Sequence, residues 1–238
     1  SGTFDGNSGG SNFGLSFLKI GPTGTLLDWF TPFNWSFLST TDADASMGAL
    51  VVPNTNLVLG GGKPGLLYVL DRDNLGHHRP TDDNQIVQSL QASSSGRMYG
   101  TPTYWDSPTY GPVIYTFAAS DPLKAFRLVN GRFETVPAAE SPQHAESGMP
   151  GGMMSLSANG SGPGTGIVWT AMWSEGDANN RIAAGVLRAH DAGDVTRQLW
   201  TSEQNAARDR LGDFSKFSPP TIANGKVYVP TFSNRLVV

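Results

Sequence analysis

The residues that could do chemistry are few and scattered along the chain. Asp71-Arg72-Asp73-Asn74, followed by Gly76, has the oxygen-rich composition of a Ca²⁺ loop. Position twelve of such a loop, counted from Asp71, falls on Asp82 without the neighbours expected around a closing acidic ligand. The competing reading makes Asp71 the last residue of a strand, with its carboxylate capping the turn that follows. Asp42 and Asp44 raise the same two readings, and the turn is favoured in each case. His77-His78 could ligate Zn²⁺ or Cu²⁺ through imidazole nitrogens. Adjacent strand residues point to opposite faces, however, and the remaining histidines, His144 and His190, fall in other repeat units, so a solvated turn is expected.

Other candidates have equally plain alternatives. Gly148 to Met154 (GMPGGMM) could line a pocket or a partner surface with soft side chains, but it reads as a connecting turn followed by a core strand. Ser155 and Ser157 form no Gly-x-Ser-x-Gly elbow, so a Ser–His–Asp hydrolase is not indicated. Arg208-Asp209-Arg210 could meet an anion at a channel mouth, and self-paired surface charge is its default. Asn34-Trp35-Ser36 and Asn159-Gly160-Ser161 match the N-glycosylation sequon. No catalytic residue and no metal ligand is assigned, and cofactor-binding residues stay unassigned.

Composition narrows the class of protein that positions these groups. The 238 residues fit one large all-β domain as easily as two small ones. The 29 glycines and 16 prolines suit many short strands joined by tight turns. Charged residues are 15% of the chain, below the roughly 25% of an average soluble domain, so the surface leans on Ser, Thr, Asn and Gly, as in exported β proteins. With a net charge of −4 and no Lys/Arg cluster, no nucleic-acid or anionic-membrane partner is expected. The lack of cysteine removes disulfides, thiolate metal sites and a Cys nucleophile. No apolar run approaches the ~20 residues of a membrane span. Ser1 to Gly10 is small and polar, so an export signal is expected upstream.

Self-similarity supplies the architecture. A strand-like pattern recurs as GLSFLKI from Gly14, GLLYVLD from Gly65, DPLKAFRL from Asp121, GVLRAHD from Gly185 and NRLVV from Asn234. The spacing is about fifty residues, in the range of propeller blades. The later copies are preceded by β-branched and aromatic runs at Asn56, Val113, Gly166 and Lys226, and those by further runs at Gly48, Gly100, Gly152 and Ser218. More polar strands follow at Leu26–Trp29, Ile86–Leu90, Arg132–Val136 and Arg197–Trp200. Four antiparallel strands per repeat make a blade, so residues 1–238 are expected to form a single all-β propeller domain or part of one. The count gives three complete blades flanked by partial ones, with the third strand of a blade at both ends of the chain. The array is therefore expected to continue on both sides, and Ser1–Ser11 is too rich in Gly and Ser to supply good strands. Asn224-Gly225 signals a two-residue hairpin. The best helix is Ser202–Leu211, with Ser202 as N-cap and Gly212 as stop.

These repeats resemble the pyrroloquinoline-quinone-like (quinoprotein-like) propeller family. AHDAGDVTRQLW, Ala189 to Trp200, resembles its Ala-x-Asp-x-x-Thr-Gly-x-x-x-Trp docking motif, with one extra residue and no Thr-Gly. KIGPTGTLLDWF, Lys19 to Phe30, keeps Thr23-Gly24 and Trp29 but has Gly21 in place of the Asp. LVLGGGKPGLLYVLDRDNLG, Leu57 to Gly76, is similar to the bacterial repeat proteins of this class. The resemblance implies that the motif Trp packs between neighbouring blades, where a large aromatic makes a good wedge. In the parent family it also implies pyrroloquinoline quinone and calcium. The dehydrogenase members hold the quinone against a vicinal Cys pair and the Ca²⁺ with Glu, Asn and Asp. This chain has no Cys, and that ligand set does not map onto it.

The expected function is a non-catalytic binding or scaffold module, extracellular or periplasmic, that engages a protein or a carbohydrate-like ligand. The competing class is enzymatic: a piece of a quinone-dependent oxidoreductase or of a propeller hydrolase, needing ionisable groups from several blades to converge.

Overall fold

A computed structural model describes residues 2–174 and 178–238; Ser1, the first residue of the stretch expected to lack strands, lies outside them. The described residues are all-β apart from a few short helical turns, and their strands form five antiparallel sheets in chain order. The first sheet pairs β1 (Phe17–Ile20) with β2 (Leu26–Phe30). The second runs β3 (Leu50–Val51), β4 (Leu57–Gly61), β5 (Leu66–Asp71) and β6 (Gln88–Gln91). The third runs β7 (Thr103–Ser107), β8 (Gly111–Thr116) and β9 (Pro122–Val129). Its outer position is shared by β10 (Arg132–Phe133) and β11 (Ala139–His144), which pair with opposite ends of β9. The fourth contains β12 (Met153–Ser157), β13 (Ile167–Trp173), β14 (Gly185–Asp191) and β15 (Gln198–Thr201). The fifth contains β16 (Thr221–Ala223), β17 (Lys226–Pro230) and β18 (Leu236–Val237).

Each sheet is a meander, so the repeat pattern in the sequence maps onto strand positions one to four. The turns are those the residues demand. Asn224 and Gly225 take φ of 50° and 71°, the type I′ geometry that joins β16 to β17 with matching twist. Asn130-Gly131 repeats this device between β9 and β10, with φ of 50° and 76°. The GMPGGMM segment ends in β12, whose Met153 and Met154 are buried.

The core lies between sheets rather than within one. Phe30, Tyr68, Leu70 and Leu75 join the first sheet to the second. Leu59, Leu67, Ile114 and Phe126 belong to the cluster joining second to third. Val113, Tyr115, Val168 and Val186 lie between third and fourth, and Trp173, Leu187, Phe214 and Val229 between fourth and fifth. The first strands of the later sheets lie side by side, β12 touching β7 and also β16, while β6 meets β10 at the outer side. Polar links stitch every joint. Gln88 clamps Phe133 through both backbone groups at 2.8 Å, the Tyr115 hydroxyl donates to the Ala192 carbonyl at 2.6 Å, and Ser155 donates to the Pro220 carbonyl.

Three expectations need correction. The helix expected over Ser202–Leu211 shrinks to α2 (Ala206–Asp209), because the Ser202 hydroxyl accepts the Leu187 N–H at 3.1 Å instead of capping a helix. Arg132–Val136 is a strand over its first two residues alone, and the outer edge of β9 is completed by β11. An unexpected helix, α1 (Trp35–Thr40), follows the first sheet.

Candidate functional site

The first sheet is the smallest, with two strands and a single full strand neighbour for each of them. The outer edge of β2 is covered by a parallel bridge from Phe30 to His77: the His77 N–H donates to the Trp29 carbonyl at 3.0 Å and Thr31 donates to the His77 carbonyl at 3.4 Å. The opposite edge, that of β1, has no strand beside it among the described residues. A groove of about 610 Å³ opens there.

Its lining shows its geometry. Ser16, Phe17, Leu18 and Lys19 contribute four consecutive residues. Neighbouring strand residues point to opposite faces, so a groove touched by all four runs along the strand's edge. The facing wall contributes Ala45, Met47, Ala49 and Val51, every second residue, which is one face of an extended segment. Val58, the cross-strand partner of Val51, and Leu75 complete an apolar floor. Lys19, Arg72 and Asp73 stand at the rim.

Local sequence explains why the groove keeps this shape. Phe17, Lys19, Asp28 and Phe30 share the face of the first sheet that packs on the second. Phe17 and Phe30 lie 6.0 Å and 5.2 Å from the Tyr68 ring. Phe17 sits over Gly60, where a Cβ would meet its ring at 2.6 Å, so β4 needs glycine for the first sheet to seat. The Lys19 ammonium donates to the Arg72 carbonyl at 2.8 Å, with the Asp73 carboxylate 4.0 Å away. The Asp28 Oδ2 accepts the Leu75 N–H at 2.7 Å, and its Oδ1 lies 2.9 Å from His77 Nε2. One carboxylate thus ties the groove floor to the imidazole on the covered edge.

The histidine pair lies in an exposed turn, the His77 side chain being 59% accessible, yet both rings are engaged. The His77 ring stacks on Trp29 at 4.6 Å with a 14° interplanar angle. Trp29 in turn lies 5.2 Å from Phe4 and 5.5 Å from Phe13, and Phe4 also reaches Trp35 and His78. His78 Nδ1 is 2.8 Å from the Asn7 amide. Residues 4–13 therefore fold as a strap over the face of the first sheet opposite the second, closed by a bridge between Phe4 and Phe13. These aromatics cover one another, so the Trp29 face is already occupied. Trp29 thus lies on the far side of its sheet, whereas Trp200 packs with the cluster joining fourth and fifth sheets.

The remaining sequence candidates are brought together with nothing reactive. Asp71 Oδ1 accepts the Asp73 N–H at 2.9 Å, and Asp82 caps its own turn through Asn84. Asp42 and Asp44 both pair with Lys63, at 2.9 Å and 2.7 Å, and chiefly that ammonium holds the Asp44 carboxyl down at about 2. Asp83, half-buried and accepting the Phe33 N–H, has its pKa raised by burial. Ser155 is spent on Pro220 and Ser157 accepts the Trp169 indole N–H at 2.9 Å. Arg208 pairs bidentately with Asp209. His144 is exposed on β11, and His190 is buried on β14. Asn34 stands at the N-cap position of α1, and Asn159 is exposed in the turn between β12 and β13. Among the described residues, no group of three or more His, Asp or Glu could hold a metal ion, and no helix is long and apolar enough to cross a membrane. Sequence reasoning missed the groove and the strap, since both depend on residues far apart in the chain; a strand pattern starting without its two predecessors is the one signal that pointed to an open edge.

No family model matches the chain, and no curated protein matches it. Among solved structures, the crystal structure of the computationally designed Ika8 protein is similar over 80% of this chain, at 11% identity and a TM-score of 0.49. The chain spans 44% of that protein's length.

Proposed function

We propose that the chain is a blade array of β-propeller type, similar to the quinoprotein-like repeats, that works as an exported, non-catalytic binding or scaffold module. Supporting the architecture are the meander order of the sheets, the cores between them, and the first strands lying side by side. The observation that carries the function is the groove along the open edge of β1: an apolar floor with a few charged groups at one end is the usual form of a recognition site. Its length and unpaired strand edge suit a polypeptide segment better than a sugar ring, whose stacking platforms are already covered by the strap.

The test is binding of an apolar anionic fluorophore, 1-anilinonaphthalene-8-sulfonate, to the folded chain. One saturable site per chain is expected. Ala49→Trp, which fills the groove, should weaken it by about tenfold or more, equivalent to about 1.4 kcal/mol. Binding that is unsaturable, or indifferent to Ala49→Trp, would remove the groove from the proposal.

A further inference from the structure

The third sheet departs from its neighbours at the outer strand. In the second and fourth sheets one strand fills that position, β6 and β15, whereas the third divides it between β10 and β11. The register shows what the division holds. Phe133 faces Leu128 on β9, and the Glu134 N–H donates to the Arg127 carbonyl at 2.9 Å. Pairing resumes where Ala139 faces Ala125 and the Ala138 N–H donates to the Ala125 carbonyl at 2.8 Å. Between Arg127 and Ala125 lies only Phe126, whereas the outer chain spends Thr135, Val136 and Pro137 on the same step. The surplus loops outward.

The loop walls a hollow of about 770 Å³, together with Arg127 and with Thr109 and Tyr110 of the turn between β7 and β8. That volume is in the range of small-molecule sites. Both neighbours of the third sheet are present, so the hollow owes nothing to either end of the array.

Arg127 is the one cation among the lining residues. Its Nε donates to the Tyr110 carbonyl at 3.2 Å, and its two terminal nitrogens have no hydrogen bond among the described residues. The Glu134 carboxylate stands 3.9 Å from Nε, beyond hydrogen-bond reach, with the two side chains 43% and 41% exposed. The chain's own carboxylate therefore leaves open the guanidinium fork, whose planar geometry matches a carboxylate bidentately. The hydroxyls of Thr109 and Thr135 are also without a partner among the described residues. Val136, 74% exposed, and Pro137 add a small apolar surface.

We infer that this hollow binds a sugar acid, with its carboxylate on the Arg127 fork, ring hydroxyls on Thr109 and Thr135, and a C–H face against Val136 and Pro137. A free sugar acid and a residue of an acidic polysaccharide present the same groups. The site is separate from the groove of β1 and gives the binding module proposed above a second ligand.

Nuclear magnetic resonance titration of the full chain with D-galacturonate tests it, read at the Arg127 Nε–H and the Val136 methyl groups. Saturable shifts at both are expected. The neutral isostere D-galacturonamide should bind about tenfold more weakly, since it forfeits hydrogen bonds between charged groups. Arg127→Gln, read at the Val136 methyls, should weaken the acid by about as much. Glu134→Gln removes the competing carboxylate and should strengthen binding about two- to fivefold. The galacturonate tetramer separates the sources: tighter binding than the monomer assigns the site to a polysaccharide, and otherwise to the free acid. Absent or unsaturable shifts overturn the inference, as do equal binding of acid and amide, indifference to Arg127→Gln, or weakening by Glu134→Gln.

Discussion

Between the third and fourth sheets, thirteen buried apolar side chains fill the joint, whereas between the first and second sheets the buried cluster holds four. Both joints are built from the same repeat. The fuller one has five strands facing four, and even Tyr115 reaches across to a backbone carbonyl. The thinner one has two strands facing four. Volume that strands occupy elsewhere is left there as the groove. The comparison shows what strand number does to a joint: with two strands facing four, apolar side chains such as Leu18 and Val51 stay exposed beside the groove.

Large-to-small substitutions should widen that contrast most. Phe126→Ala, in the filled joint between second and third sheets, should cost about 3–5 kcal/mol. Phe17→Ala, beside the groove, should cost about 1–2 kcal/mol, since its neighbours already face a void. Urea unfolding at neutral pH measures both, and equal losses would break the comparison.

Acid should loosen the filled joint selectively. His190 lies on the face of β14 that carries Val186, inside the joint between third and fourth sheets. Burial, and then the Arg188 guanidinium, push its imidazole down from 6.5 to about 4. Between those pH values the unfolded chain binds a proton that the folded chain refuses, so stability rises with pH across the window and is lost as the pH falls from about 6.5 to 4. The full loss is about 3 kcal/mol. His190→Leu should flatten this slope relative to the wild type in unfolding curves at pH 7 and pH 4.5; an unchanged slope would place the acid sensitivity elsewhere.

The most local change concerns one hydroxyl. Tyr115→Phe leaves the buried Ala192 carbonyl without its donor and should cost about 1–3 kcal/mol. A lowered midpoint of cooperative melting checks it, and an unchanged midpoint would show that the hydroxyl carries no share of the joint.

How much of this was legible depends on where each residue is buried. β14 matches the expected Gly185–Asp191 residue for residue, because a strand buried on both faces writes a continuous apolar run between turn residues. β11 was invisible: AESPQH is polar and holds Pro142, which an outer strand tolerates but a pattern search rejects. α1 was missed because Phe33, Trp35 and Phe37 alternate like a strand and Asn34-Trp35-Ser36 drew notice as a sequon. At the site, Arg72 and Asp73 were singled out for a Ca²⁺ loop, and they stand instead at the rim of the groove. Aromatic residues were noted for their abundance, yet nothing local says that Phe4 closes over Trp29, a contact spanning twenty-five positions.

Six of the links across the joints share one property. Lys19 donates to the carbonyl of Arg72, Ser46 to that of Met98, Gln88 to that of Phe133, Trp105 to that of Gly160, Tyr115 to that of Ala192 and Ser155 to that of Pro220. In each, one partner is main chain and is present whatever residue occupies the position. A link between two side chains can be lost by mutation at either codon; these can be lost at one. Neighbouring sheets can therefore drift apart in sequence while their fastenings persist.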